Sequence, residues 1–388
     1  MVRIAIADDY LLTYISRIAK LNSCAVGLIL GQSCLGKDYV IHFAKTPPFQ
    51  TEDLKKEGQP PRELKSVSEI NENWIADHAR HATRMLPGGM YVLGIFVTSP
   101  EDLLSPFSPK IKSVLSMIHK QLDVNHYLYG NANNEKLILH YSTKTQKYLA
   151  KSYDVATSNV QPAEFKFLPK ASRWTNVECY FEIDQLHYLK TNEADWPLQK
   201  HMKIILEEIN ESLDNGVFLF DGEAKDKDEN LENIGKKKKV TRTANKGLQD
   251  LQENSKPMQV SIYQTCNLNN SKKNPIHEIF ESGGQLRIVG QVACKLWLQP
   301  KISINDASIA VKQDIMRSLA TRLEMHWDSL TEEENSEDNT DYYNSALESE
   351  SEEVLPKLPT DTNKFMYIVG LGVALLVLIL SLLIHFYK

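Results

Sequence analysis

The sequence predicts an α+β protein with a larger N-terminal domain, a smaller second α+β domain, a disordered acidic tether and a single C-terminal transmembrane helix. Three observations carry this. Two apolar, β-branched runs at 25–32 (A-V-G-L-I-L-G-Q) and 90–97 (M-Y-V-L-G-I-F-V) read as buried strands, and amphipathic helical periods at 10–21 and 69–85 precede them. Two-residue alternation then returns at 177–183, 258–263 and 284–298, with a helical period following at 304–330. Finally, 365–384 is a run of twenty residues without a charge. The expected domains are therefore 1–160, a second region built from 161–221 and 258–330, a charged linker at 222–257, an acidic tether at 331–363 and an anchor at 365–386.

Composition bounds the function. The chain has 388 residues, 42% of them apolar and 24% charged, which is ordinary for a globular protein of two or three domains. A net charge of −6 gives no basic face for nonspecific nucleic-acid binding, so nucleic acid is not expected among its partners. Cys24, Cys34, Cys179, Cys266 and Cys294 are odd in number and lack C-x-x-C spacing, which fits reduced thiols. Asp8 and Asp9 interrupt the apolar start at Ile4 before it reaches the length of a secretory signal.

Along the chain, a strand near Ile4–Ala7 leads to a helix carrying Leu11, Leu12, Ile15 and Ile18. The strand at 27–32 returns through a turn at 33–37 into 38–43, as a hairpin. A proline-rich loop at 46–61 separates it from the helix 69–85. His78 and His81, three apart on that helix, could face one metal, but no nearby carboxylate-cysteine set completes the site, so they read as two histidines on a partly solvated helix face. Pro87 ends the helix and Gly88 and Gly89 supply the reversal, so the strand carrying Gly94 starts afresh. Gly27 and Gly31 lie in the partner strand. A helix at 111–119 and a hairpin over 137–154 complete the first domain.

In the second half, 198–213 is a helix with Leu198, Met202, Ile205, Leu206 and Ile209 on one face. The segment 222–257 is too charged to bury itself, and Lys236 to Lys239 within it read as a solvated linker or as a nuclear-import or phosphate-binding patch. The acidic stretch 331–353, without a lysine or arginine, reads as a solvated, disordered tether whose serines could accept casein-kinase-like phosphorylation. The terminal run meets the ~20 residues needed to cross a ~30 Å hydrocarbon core. Its apolar residues are Phe365, Ile368, Val369, Leu371, Val373, Leu375, Leu376, Leu378, Ile379, Leu382, Leu383 and Ile384. Since only four residues follow the run, it is expected to insert after translation as a tail anchor, with the N-terminal bulk cytosolic and the lipid bilayer as a partner.

The strands at 27–32 and 90–97 resemble the signature strands of the MPN (Mpr1/Pad1 N-terminal) fold of zinc-dependent deubiquitinating isopeptidases. In the active members two histidines, an aspartate and a general-base glutamate do the chemistry, and on this chain the matching positions hold Val97, Ser99, Lys110 and Cys24. A methyl group and a repelling charge cannot replace metal donors, so the resemblance is to a catalytically inactive MPN-like scaffold with no cofactor. Over the whole chain, G-L-I-L-G-Q, K-D-Y-V-I, Trp74 with His78 and Ala79, R-M-L-P-G-G-M, the acidic tether and the terminal run resemble the family of odorant response abnormal protein 4 homologues. That resemblance implies a non-enzymatic endoplasmic-reticulum membrane adaptor that assists folding, trafficking or localisation of polytopic receptors. It also implies a partner, the cysteine protease specific for the ubiquitin-fold modifier, itself carrying an MPN-like domain. The alternative is a metallo-isopeptidase acting on ubiquitin-like conjugates.

Overall fold

The first strand, β1 (Arg3–Asp8), has neighbours far from it in sequence on both edges: it pairs in parallel with β3 (Lys37–Lys45) and with β7 (Val160–Leu168). The remaining strands are β2 (Ala25–Cys34), β4 (Tyr91–Ser99), β5 (Glu135–Ser142) and β6 (Tyr148–Asp154). In the order β1-β3-β2-β4-β5-β6-β7 they form a closed barrel. The computed structural model describes residues 2–334 except 22, 50–63, 126–127, 130–132, 171–172, 235–255 and 265–280. Residues Met1–Trp327 form one compact unit, to which the description below refers, and Asp328–Lys388 a second.

Apolar side chains occupy both faces of the central strands, which is why β2 and β4 read as continuous apolar runs. Inside the barrel, Phe43 lies between Phe96 and Phe165, with ring centroids 5.4 and 6.1 Å away. Leu11 and Ile15 of helix α1 (Asp9–Ile18) join this interior. Outside it, Leu28, Leu30, Val92, Ile95 and Val97 pack with helices α2 (Glu72–Met85) and α3 (Pro109–Asp123). Helix α2 starts where the Asn71 side chain accepts the Trp74 N–H at 3.1 Å, and it ends two residues before Pro87. A Cβ on Gly94 would overlap the backbone of Leu137, and one on Gly27 would overlap the Phe96 ring, so both glycines set how closely strands and rings approach.

A second sheet, in the order β11-β8-β10-β9, contains β8 (Thr175–Lys190), β9 (Val217–Phe220), β10 (Met258–Tyr263) and β11 (Ser282–Leu298). Strands β8 and β11 alternate buried and exposed residues along their proximal halves, so one face meets helices α4 (Leu198–Asp214) and α5 (Ile304–Glu334) and the other meets solvent. The buried face of this sheet and the outer face of the barrel share one hydrophobic core.

Helix α5 joins them through the Pro87–Gly89 turn. Asp314 Oδ1 accepts the Gly88 N–H at 2.7 Å. Buried Arg317 donates from Nε to the Leu128 carbonyl at 2.7 Å and from Nη1 to the carbonyls of Leu86, Pro87 and Met90. Gln32 in β2 extends the seam, donating to the Gly89 carbonyl at 3.2 Å while its Oε1 accepts the Gln299 N–H at 2.7 Å.

These findings correct the sequence-based expectations. The N-terminal part is a closed seven-stranded barrel, not the expected MPN-like α+β domain, because β1 at residues 3–8 pairs with β7 at residues 163–168 and closes the sheet on itself. Local periodicity carries no information about that closure. The expected transmembrane helix and single-pass endoplasmic-reticulum location are corrected as well. Among the described residues no helix is long and apolar enough to cross a membrane. The longest, α5, bears Asp306, Lys312, Asp314, Arg317 and Arg322, and the run 365–384 lies outside the described residues. Residues 222–234, expected to be flexible linker, instead include a 3-10 turn at Leu231–Asn233 with Leu231 fully buried and its N–H bonded to the Ile302 carbonyl. The rest of that linker, with Lys236 to Lys239, lies outside the described residues, as does the tether beyond 334.

A Cβ on Gly88 would overlap the Ala310 carbonyl, and helix backbone cannot yield as a side-chain tip can. Gly88→Ala is therefore expected to cost at least the upper end of the ~1–3 kcal/mol typical of overpacking. Leu93→Ala, which empties space in the barrel interior, should cost ~2–5 kcal/mol. Guanidinium unfolding midpoints measure both, and an unshifted midpoint for Gly88→Ala would show that α5 does not seat on the turn.

Candidate functional site

The register of β2 against β4 places three of the four degenerate positions at one end of the barrel, since Ala25 pairs with Thr98 and Val26 with Val97. Cys24 immediately precedes β2, where it is buried and its N–H donates to the Leu64 carbonyl at 2.8 Å. Its thiol is pushed up to about 12, chiefly by burial and then by the carboxylates of Glu101 and Glu69, so it stays protonated and poor as a nucleophile or ligand. Val97 is fully buried among the apolar residues between the barrel and its helices. Ser99 is fully buried as well.

The Ser99 hydroxyl donates to the Glu101 carbonyl at 3.0 Å and lies 3.1 Å from His140 Nε2. With that proton committed, the tautomer that completes the pair carries its proton on Nε2 and donates to Oγ. His140 then cannot act as a base on Ser99, and a Ser/His contact that looks catalytic in outline is a structural tie between β4 and β5. Burial pushes the His140 imidazole down, opposed by Asp102 and by a hydrogen bond to the Ser99 backbone, so burial favours the neutral ring.

The fourth position goes elsewhere. Lys110, at the start of α3, pairs with Glu72 at 3.1 Å and ties the N-termini of α2 and α3 together at the surface. His78 Nδ1 meets Thr46 Oγ1 at 2.9 Å. Among the described residues no group of three or more His, Cys, Asp or Glu side chains is placed to hold a metal ion. The glycines of the signature act on backbone approach: Gly27, Gly31 and Gly94 are crowded by neighbouring strands, while Gly88 and Gly89 lie under α5. The anchor residues from Phe365 to Ile384 lie outside the described residues.

Beside Cys24, a pocket of about 100 Å³ opens between the end of the β2–β3 pair and the start of α2. Trp74 forms one wall, fixed by its indole N–H on the Pro47 carbonyl at 2.8 Å and by Phe49 edge-on at 5.5 Å. Lys20, Lys45 and Glu69 stand among its lining residues. The aromatic wall and the protonated Cys24 thiol give the pocket an apolar side. Sequence reasoning missed this pocket, His140 and Arg317. His140 sits inside an apolar strand where nothing local distinguishes it, whereas Trp74 was visible as a residue of the helix but not as a wall.

Comparison with known proteins bears on identity. The Odorant response abnormal 4-like family matches residues 27–359. The chain belongs to that family. A human protein odr-4 homolog is 29% identical over 85% of this chain and 71% of its own length. The Drosophila melanogaster protein odr-4 homolog is 24% identical over 82% of this chain and 70% of its own, and the Caenorhabditis elegans odorant response abnormal protein 4 is 22% identical over 79% and 61%. A solution structure of a Desulfitobacterium hafniense protein aligns with 43% of this chain and 94% of its own at a TM-score of 0.26 and 15% identity, a likeness too slight to argue from.

The neutral buried His140 sets a pH dependence. Its folded value lies below the ordinary ~6.5 of an unfolded histidine, so the stability it contributes is present above about pH 6.5 and is lost as pH falls through that value. The unfolding midpoint of the unaltered protein should therefore drop more steeply between about pH 7 and 5 than that of His140→Gln. Parallel pH profiles would show that His140 is not the group responsible.

Proposed function

We propose that this member of the Odorant response abnormal 4-like family is a non-catalytic adaptor. It assists the folding, trafficking or localisation of polytopic membrane receptors, and it works alongside the cysteine protease that processes the ubiquitin-fold modifier. The reading is carried by the region around Cys24, Val97 and Ser99. There a protonated thiol, a buried valine and a hydroxyl committed to the backbone offer neither a metal donor nor a base. Lys110, held by Glu72, adds a positive charge rather than a ligand.

Family membership supports the receptor role, and the expected protease partner follows the resemblance rather than any single contact. An adaptor needs rigid surfaces more than reactive groups, and the continuous core from barrel to second sheet supplies such rigidity.

Two measurements test the proposal. The purified full chain should bind no stoichiometric zinc and should leave ubiquitin-like conjugates intact, and mixing it with the protease should produce a complex of fixed stoichiometry on light-scattering chromatography. One tightly held zinc per chain, lost together with an isopeptidase activity, would overturn the non-catalytic reading. Failure of the two proteins to co-migrate at micromolar concentration would remove the proposed partner.

A further inference from the structure

The second sheet sets two cysteines against each other. In the antiparallel register Cys294 of β11 faces Cys179 of β8, and both are buried, at 3% and 1% exposure. Directly opposed residues in such a ladder have Cα atoms ~4.5–5.5 Å apart, inside the ~4.4–6.8 Å that a disulfide bridges. Cys24 and Cys34 lie opposite Leu64 and Lys37 instead. Both thiols of the facing pair are free.

The pair is wired to the seam between barrel and sheet. The Cys294 thiol hydrogen-bonds to the Asp314 carboxylate of α5. The same carboxylate accepts the Gly88 N–H, so thiol, carboxylate and amide form a chain from an edge strand to the Pro87–Gly89 turn. Asp314 is partly buried, and each donor it holds offsets the cost of drawing its charge away from water.

We propose that Cys179 and Cys294 are a modification site, a dithiol that a peroxide oxidises to a cross-strand disulfide, and that the bond frees Asp314 from Cys294 and loosens the seat of α5 on the turn. One sulfur attacks the peroxide O–O bond and becomes a sulfenic acid, with one water released. The second sulfur attacks the first, forming the S–S bond and releasing a second water, so two electrons pass from the dithiol to the peroxide. Burial pushes the Cys179 thiol up to about 11, with Asp314 adding to it, and burial and Asp314 push Cys294 up further. The reaction therefore waits on opening of the sheet, and β11 lies at its edge, held by a ladder on one side only. Once its thiol donor is gone, Asp314 is left with the Gly88 amide and the nearby Arg317 charge.

The test uses the full chain. Reduced protein is treated with hydrogen peroxide, remaining thiols are alkylated in denaturant, and unreduced peptides are mapped by mass spectrometry, while hydrogen exchange is followed at the Gly88 amide. The expected result is a Cys179–Cys294 linked peptide reversible by dithiothreitol, with Gly88 exchange about tenfold faster in the oxidised protein, the factor associated with one hydrogen bond to a charged group. Cys294→Ser keeps a hydroxyl donor for Asp314 and cannot cross-link, so its Gly88 exchange should not respond to peroxide. Full alkylation of both cysteines after peroxide, linkage to another cysteine, or linkage with unchanged Gly88 exchange would each overturn the proposal. The mapping on the unaltered chain decides even if the variant fails to fold.

Discussion

A single buried guanidinium holds the structure's two layers in register. Arg317 reaches from α5 to the carbonyls of Leu128, Leu86, Pro87 and Met90, all of which lie in connections that the barrel leaves open at this end. Backbone carbonyls in such a connection lack ladder partners, and leaving them buried without donors would cost about as much as several lost hydrogen bonds. The guanidinium supplies donors in a fixed plane, which a lysine could not match. Its own burial is offset by Asp314, one turn away on α5, and by Tyr91, whose ring lies 5.8 Å beneath it. Asp314 in turn holds the Gly88 amide, so the charge pair grips both donor and acceptor groups of one turn.

That grip explains why the turn contains glycines. A side chain at Gly88 would meet the Ala310 carbonyl, and Gly89 has a φ of 78°. The first glycine allows helix and turn to approach, and the second allows the chain to reverse into β4. Everything downstream depends on this placement. Strand β4 pairs with β2 on one side and β5 on the other, so its position sets the barrel, and its outer residues Val92, Ile95 and Val97 enter the core shared with α2, α3 and the second sheet.

The corner around Cys24, Val97 and Ser99 is part of that packing. Val97 fills core space, Ser99 and His140 stitch β4 to β5, and Glu101 links the same corner to Ser66 at 3.0 Å. Each group is satisfied by a neighbour, which leaves none of them poised for a substrate. This gives the corner rigidity, since satisfied buried polar groups specify one arrangement of the strands. The pocket beside Trp74 is the open feature of this corner, and its walls are held by the Pro47 carbonyl and the Phe49 ring.

Local order was legible along most of the chain because it rests on near neighbours. Pro87, Gly88 and Gly89 mark the end of α2 and the start of β4, alternation marks β8 and β11, and the stripe from Ile309 to Leu323 marks α5. The motifs between Gly27 and Phe96 also pointed to the family that the chain belongs to. The barrel was not legible. Its closure depends on β1 meeting β7 in parallel, a pairing between residues near 5 and near 165 that leaves no periodic trace. The charged residues of α5 gave a similar problem: Arg317 and Asp314 look like any polar positions on an amphipathic helix, and only the approach of the turn at 87–89 makes them interior groups. Cys179 and Cys294, more than a hundred residues apart, become neighbours only through the β8–β11 register. What the sequence determined by itself was therefore the type of most elements and the family. Tertiary structure alone decided which elements close on each other, because that choice is made by contacts between residues that no local pattern connects.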